Sequence, residues 1–94
     1  MKDHDLVARI CKVLSIDTRV QIVDLLKKQS LCVNCLAEKL KITPAAVSQH
    51  LRILRDAEIV TTCKQGNFIH YQINKKTLNK WNQIIQDFLN PDLT

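Results

Sequence analysis

The sequence predicts a mainly α-helical domain that carries one β-hairpin: four helices, the hairpin, then a last helix. Three observations predict it. Apolar residues recur at helical spacing through the first 57 positions. After Ala57-Glu58 the period falls to two, on both sides of the only glycine, Gly66. From Lys75 to Leu89 an apolar stripe returns at helical steps.

Each element follows from its residues. The first helix spans about residues 4–14, with Leu6, Val7, Ile10, Cys11, Val13 and Leu14 at helical spacing. Asp17 is the expected N-cap of the second helix, because its carboxylate can accept the free N–H groups of the first turn. That helix carries Val20, Ile22, Val23, Leu25 and Leu26 and is polar only at Arg19, Gln21, Asp24 and Lys27-Lys28. It reads as the central core helix, ended by Gln29-Ser30. Leu31-Cys32-Val33 reads as a stub of strand. Asn34 is the expected N-cap of the third helix, Cys35 to Leu40, with Leu36 and Leu40 facing inward. Lys41-Ile42 is a tight connector without glycine.

Thr43 caps the fourth helix, and Pro44 takes its first position, where a missing N–H costs nothing. Val47, Leu51 and Leu54 form its inner stripe and leave Ser48, Gln49, Arg52 and Arg55 outside. Ile59–Cys63 and Phe68–Ile73 are the hairpin strands, and Lys64-Gln65-Gly66-Asn67 is the turn, where Gly66 supplies a positive φ. In the last helix Leu78, Trp81, Ile84, Ile85, Phe88 and Leu89 form the stripe, and Asn90-Pro91 stops it. The short turn between the third and fourth helices is helix-turn-helix geometry, and the hairpin that follows is its wing. The expected fold is therefore a winged helix-turn-helix.

With 94 residues the chain is one small domain, 1–94. One glycine and two prolines exclude Gly-rich phosphate cradles. The net charge of +5 is concentrated. Residues 39–76 hold seven Lys and Arg against two acids, whereas residues 1–38 hold six against five and residues 77–94 hold one against two. A basic excess gathered in one segment points to a polyanion. The N-terminus, Met1-Lys2-Asp3-His4-Asp5, carries acids where a signal peptide needs bare positive charge, and no long apolar run follows. A cytoplasmic location, no membrane contact and four reduced cysteines are expected.

The fourth helix carries the functional signal. Ala45, Ala46, Ser48, Gln49 and His50 are small or polar, as a helix entering a major groove about 12 Å wide requires. Gln49 can pair bidentately with adenine, and Ser48 and His50 can donate to bases or phosphates. Arg52 and Arg55 lie one turn on, where phosphates run. Thr43, Lys64 and Gln65 complete the expected interface with double-stranded DNA. A solvated polar face is the bland alternative.

Leu14-Ser15-Ile16-Asp17-Thr18-Arg19, Leu31 to Glu38, and Val47-Ser48-Gln49-His50-Leu51-Arg52-Ile53-Leu54-Arg55 together resemble the ArsR/SmtB family of winged-helix repressors. The resemblance runs from the first helix past Trp81. It implies a homodimer built on the helices near 4–14 and 75–90, a palindromic operator, and release of that operator when an effector binds. The stripe on the last helix fits a partner on its own terms, because so wide an apolar face on so small a domain asks for cover.

Cys32-Val33-Asn34-Cys35 falls where the family carries a thiolate metal box, although the common box has one residue between its cysteines and this chain has two. With Asn34 as cap, Cys35 would sit in the first turn, where N–H groups and the dipole favour a thiolate. Thiolates select soft ions: arsenite, cadmium, lead or zinc. A third ligand is then needed, Cys11 of the same chain or its partner, or His4. Cys11 and Cys63 also fit as small packing residues, and His50 and His70 are not read as ligands. No ion is expected to be required for folding. A second family site, on the last helix, needs His and carboxylates; residues 75–89 hold no His and one acid, Asp87, so that site is not expected. The same cysteines also suit a thiol-redox or persulfide switch. The remote alternative, a thiol-disulfide oxidoreductase, would want a βαβ setting around the motif.

Overall fold

A computed structural model of the chain describes residues 3–93; Met1, Lys2 and Thr94 of the sequence reading lie outside the described residues. The elements are α1 (Asp3–Val13), α2 (Asp17–Leu26), α3 (Val33–Leu40), α4 (Pro44–Asp56), β1 (Val60–Gln65), β2 (Phe68–Ile73) and α5 (Lys75–Leu89). Order and type match the expectation.

Val47, Leu51 and Leu54 of α4 are buried in one cluster with Ile22, Leu36 and Ile59, as their spacing predicts. The cluster ties α2, α3 and α4 to the root of the hairpin. Thr43 is the cap of α4: its Oγ1 accepts from the Ala46 N–H at 3.1 Å, with Pro44 inside the first turn. Both helices of the helix-turn-helix end in the same backbone device. Lys41 has φ 57°, the Ile42 N–H donates to the Ala37 carbonyl at 3.1 Å, and the Lys41 N–H donates to Glu38 at 3.3 Å. Glu58 has φ 64°, with Ile59 donating to Leu54 at 3.1 Å and Glu58 to Arg55 at 2.9 Å. These are Schellman closures whose left-handed residue is not glycine.

The hairpin pairs Val60 with Ile73 through Gln65 with Phe68, antiparallel, and turns at Gly66, φ 62°. The expected strand stub is a single bridge: Leu31 and Tyr71 exchange N–H donations at 3.1 and 2.8 Å. Further toward the tip the ribbon is held to the rest of the chain by one side-chain contact, Gln65 on Ser30. Phe68, paired at the tip, is 66 % exposed.

Four local expectations are corrected. Asp17 does not cap α2; Ile16 holds that position without a side-chain bond, and the Asp17 carboxylate instead accepts from Gln21 Nε2 at 3.0 Å. Its charge still faces the favourable end of the helix dipole. Asn34 does not cap α3; Cys32 does, because the helix starts at Val33. Arg19, read as one of the polar exceptions of α2, is buried, while Val20 is exposed. Positions 19, 22, 23 and 26 share one helical face, so Arg19 stands where the core expects an aliphatic side chain. The second helix also ends earlier than expected, with Lys27 as its C-cap.

The molecule is elongated, 48 × 23 × 22 Å. The last helix contributes to this: α5 packs chiefly on α1 and has no fully buried residue. No helix among the described residues is long and apolar enough to cross a membrane.

The closures at Lys41 and Glu58 generate a stability prediction. A side chain in the left-handed region costs about 1 kcal/mol that glycine does not incur. Lys41→Gly and Glu58→Gly should therefore each stabilise the fold by up to ~0.5 kcal/mol after the larger unfolded-state entropy of glycine is counted, read as a higher denaturation midpoint at unchanged m. A lower midpoint in both variants would contradict the closure geometry.

Candidate nucleic-acid interface and thiol site

With the stripe of α4 turned inward, Ala45, Ser48, Gln49 and Arg52 fall together on its outer face and are exposed. Arg55 continues the face by one turn and Thr43 stands exposed at its start. His50 is half-buried and flanks this face. The ion pairs among the described residues are His4–Asp5 and Lys27–Asp24, so Arg52 and Arg55 are not neutralised by an acid.

The wing places Lys64 in solvent near its tip. Gln65 is exposed as well, but its amide is engaged: Nε2 donates to Ser30 Oγ at 3.2 Å and lies 3.8 Å from Cys63 Sγ. It acts as a strut between the wing and the segment leading into α3. Ser30 carried no signal in the sequence, because the contact spans 35 positions.

Cys32 and Cys35 meet at the start of α3. The Cys35 N–H donates to Cys32 Sγ at 3.3 Å, and the two sulfurs are 3.1 Å apart. That separation is well beyond a disulfide bond of about 2.05 Å, and both are free thiols. Once Cys32 is ionised, the thiol and backbone N–H of Cys35 can both donate to its sulfur, and these bonds hold its pKa below the ordinary thiol value. The same hydrogen bond raises Cys35, which must give up its proton beside a thiolate. The sequence reading favoured Cys35 as the thiolate. The structure favours Cys32 instead, whose sulfur accepts from the Cys35 thiol and from the helix N–H.

The pair is exposed enough to meet an ion and offers two soft donors. Among the described residues no group of three His, Cys, Asp or Glu side chains gathers to hold a metal. Cys11 is exposed on α1 rather than packed in its apolar side, and it does not join the pair within one protomer. His4 is beside Asp5, 3.4 Å away. Cys63 is half-buried on β1, cross-strand from His70, whose buried Nδ1 has no hydrogen-bond partner. The motif has no βαβ setting: the only sheet among the described residues is the antiparallel hairpin.

The thiol pair sets a measurable asymmetry. Alkylation by iodoacetamide followed against pH should show one thiol reacting as a thiolate below the ordinary cysteine range and one above it. Cys35→Ala should move Cys32 upward toward the ordinary value, and Cys32→Ala should move Cys35 downward. Two independent, ordinary titrations in the wild-type protein would rule the arrangement out.

Comparison with known proteins agrees with this architecture. A sequence profile described as bacterial regulatory protein, arsR family, matches residues 17–62. The chain is 33 % identical over 81 residues to the transcriptional repressor SdpR of Bacillus subtilis (strain 168), covering 86 % of this chain and 90 % of SdpR. It is 42 % identical over 74 residues to the arsenical resistance operon repressor of Staphylococcus xylosus, covering 79 % of this chain and 71 % of that protein. Among solved structures, the homodimeric winged helix-turn-helix DNA-binding domain of Mb0332 from Mycobacterium bovis, a possible ArsR-family regulator, superposes with a TM-score of 0.73 at 27 % identity. That match covers 87 % of this chain and 76 % of that one. Relatives of this identity and coverage, carried on this fold, show that the chain belongs to the ArsR family: it is a winged helix-turn-helix, DNA-binding transcriptional repressor and not an enzyme.

Proposed function

We propose that two copies of this chain pair through α1 and α5, read a palindromic operator with α4 and the wing, and release it when a soft metal or metalloid ion binds Cys32 and Cys35. The observation that carries the effector reading is the thiol pair itself, two sulfurs 3.1 Å apart with the Cys32 thiol lowered. The pair sits at the start of α3, and α3 packs more extensively on α4 than on any other helix. A Cys32 sulfur that bonds an ion shares its charge with that ion and so weakens the hydrogen bond that caps α3. Ion binding thus acts on the helix that supports the reader. Arsenite and cadmium suit two thiolates, as do lead and zinc, and the third ligand would be Cys11 or His4 of either protomer. The resemblance to an arsenical resistance repressor supports the same ion class.

Dimerisation rests on α5. Leu78, Trp81, Ile84 and Ile85 are half-buried, while Phe88 and Leu89 are 60 % and 69 % exposed. Ile10, Leu14, Leu78, Trp81 and Ile85 line a groove of about 420 Å³ along α1 and α5. A second copy covering this face would bury the apolar surface that a monomer leaves in water. Gln49 and Ser48 would then meet base edges, while Arg52, Arg55 and Lys64 meet phosphates. Thr43, Ala45 and His50 border the groove-facing surface, and Gln65 braces the wing. Reduced thiols fit action in the cytoplasm.

The S···S contact supports a second reading, in which a peroxide or persulfide oxidises the pair and the operator is released without metal. Operator binding by reduced protein distinguishes the two. Arsenite or cadmium should lower the affinity of the wild type, and Cys32→Ser/Cys35→Ser should bind the operator normally and ignore the ion. A double variant that still responds with wild-type sensitivity would sink the metal reading, and a response to peroxide alone would favour the redox one. For the DNA face, Gln49→Ala should cost about 1–3 kcal/mol and relax sequence preference, and Arg52→Ala should lower the salt slope by about 1. A monomer without salt-dependent DNA affinity would overturn the repressor mechanism at its base.

A further inference from the structure

We propose that the crevice between α1, α2 and α4 is a second ligand site, one that takes a small organic carboxylate on Arg19. It is independent of the thiol pair and of DNA reading, since none of its residues is assigned to either. Arg19 is only 6 % exposed, and its Nε is buried without a hydrogen-bond partner. Neither ion pair among the described residues involves it. A guanidinium keeps its charge on burial, and a buried charge without a counter-ion is strongly disfavoured. The position is core-facing by spacing, so an aliphatic residue would serve packing better. An arginine kept there without an internal anion has its electrostatic partner outside the chain.

The surroundings fit such a partner. Arg19 lines a cavity of about 540 Å³ together with Arg9, Lys12 and Ser15, within the roughly 300–1,000 Å³ range of small-molecule sites. Val13 and Ile53 give it apolar wall, and Asp56 is the one acid among the lining residues. Three cations against one acid call for an anion. The guanidinium fork matches a carboxylate bidentately. The apolar wall favours an anion with a hydrocarbon body over a bare inorganic ion. Depth disfavours a DNA phosphate, because a duplex backbone cannot follow a side chain so little exposed. The ligand would bridge the C-terminal half of α1, the first turn of α2 and the last turn of α4.

Titration of DNA-free protein with hexanoate, against hexanamide at equal ionic strength, tests the site. The readout is the arginine Nε–H signals in nitrogen-edited NMR, with Arg19 assigned by its loss in Arg19→Lys. The Arg19 signal should move saturably with hexanoate, and hexanamide should bind at least about tenfold more weakly, as expected when a charge-assisted pair is lost. Arg19→Lys and the double variant Arg9→Gln/Lys12→Gln should each weaken hexanoate binding by a similar factor. The double variant changes only exposed residues, so it carries the test even if the Arg19 variant does not fold. Equal shifts with the amide, a signal that never saturates, or wild-type affinity in the double variant would overturn the proposal.

Discussion

Val47, Leu51 and Leu54 lose nearly all solvent contact against Ile22, Leu36 and Ile59, and this burial holds the molecule together. Three aliphatic side chains at spacings of four and three lock the rotation of α4 about its own axis. Once that rotation is locked, Ala45, Ser48, Gln49 and Arg52 have no choice but to face out. The same burial ties the hairpin root to the helix-turn-helix, because Ile59 and Val60 enter the cluster at the point where β1 begins. A domain this small has little core to spare. Packing and presentation of the outer face of α4 are therefore one event, and loosening the stripe would blur that face as well as destabilise the fold.

Backbone bonds, rather than extra core, set the relative placement of the remaining parts. Left-handed Lys41 and Glu58 end α3 and α4 sharply. They keep the inter-helix turn short and feed the chain directly into β1. The wing is held by the Leu31–Tyr71 exchange at its root and by Gln65 on Ser30 further out. Both contacts come from the segment that immediately precedes Cys32. The thiol pair thus stands where the wing anchor and the start of α3 meet.

Capping joins structure to chemistry at that point. A sulfur is a weak acceptor in general, yet Cys32 is used as the N-cap of α3. The helix end receives its acceptor and in return stabilises a thiolate. A change in the charge on the Cys32 sulfur would change the strength of the cap. The arrangement makes the helix start sensitive to thiol chemistry without a separate binding domain.

How far the sequence could be read follows from the range of each interaction. Periodicity gave the type and order of every element, because the apolar face of a helix or strand is written within a few residues. Thr43-Pro44 and Gly66 were legible for the same reason: capping and positive φ are local demands. The concentration of charge in residues 39–76 and the polar face of α4 were likewise countable. Caps at Asp17 and Asn34 were misplaced by one residue at α2 and two at α3, since several polar side chains near a helix start compete and packing chooses the starting turn. Arg19 was legible in principle from its spacing to Ile22, Val23 and Leu26, but the charge masked the position. Only the tertiary structure decided which cysteine has the lowered pKa, that Gln65 braces Ser30, that the Phe68 end of the wing is uncovered, and that Arg19 faces a cavity. Those outcomes depend on contacts between distant segments and on the depth of burial, and neither is encoded in any local window of the chain.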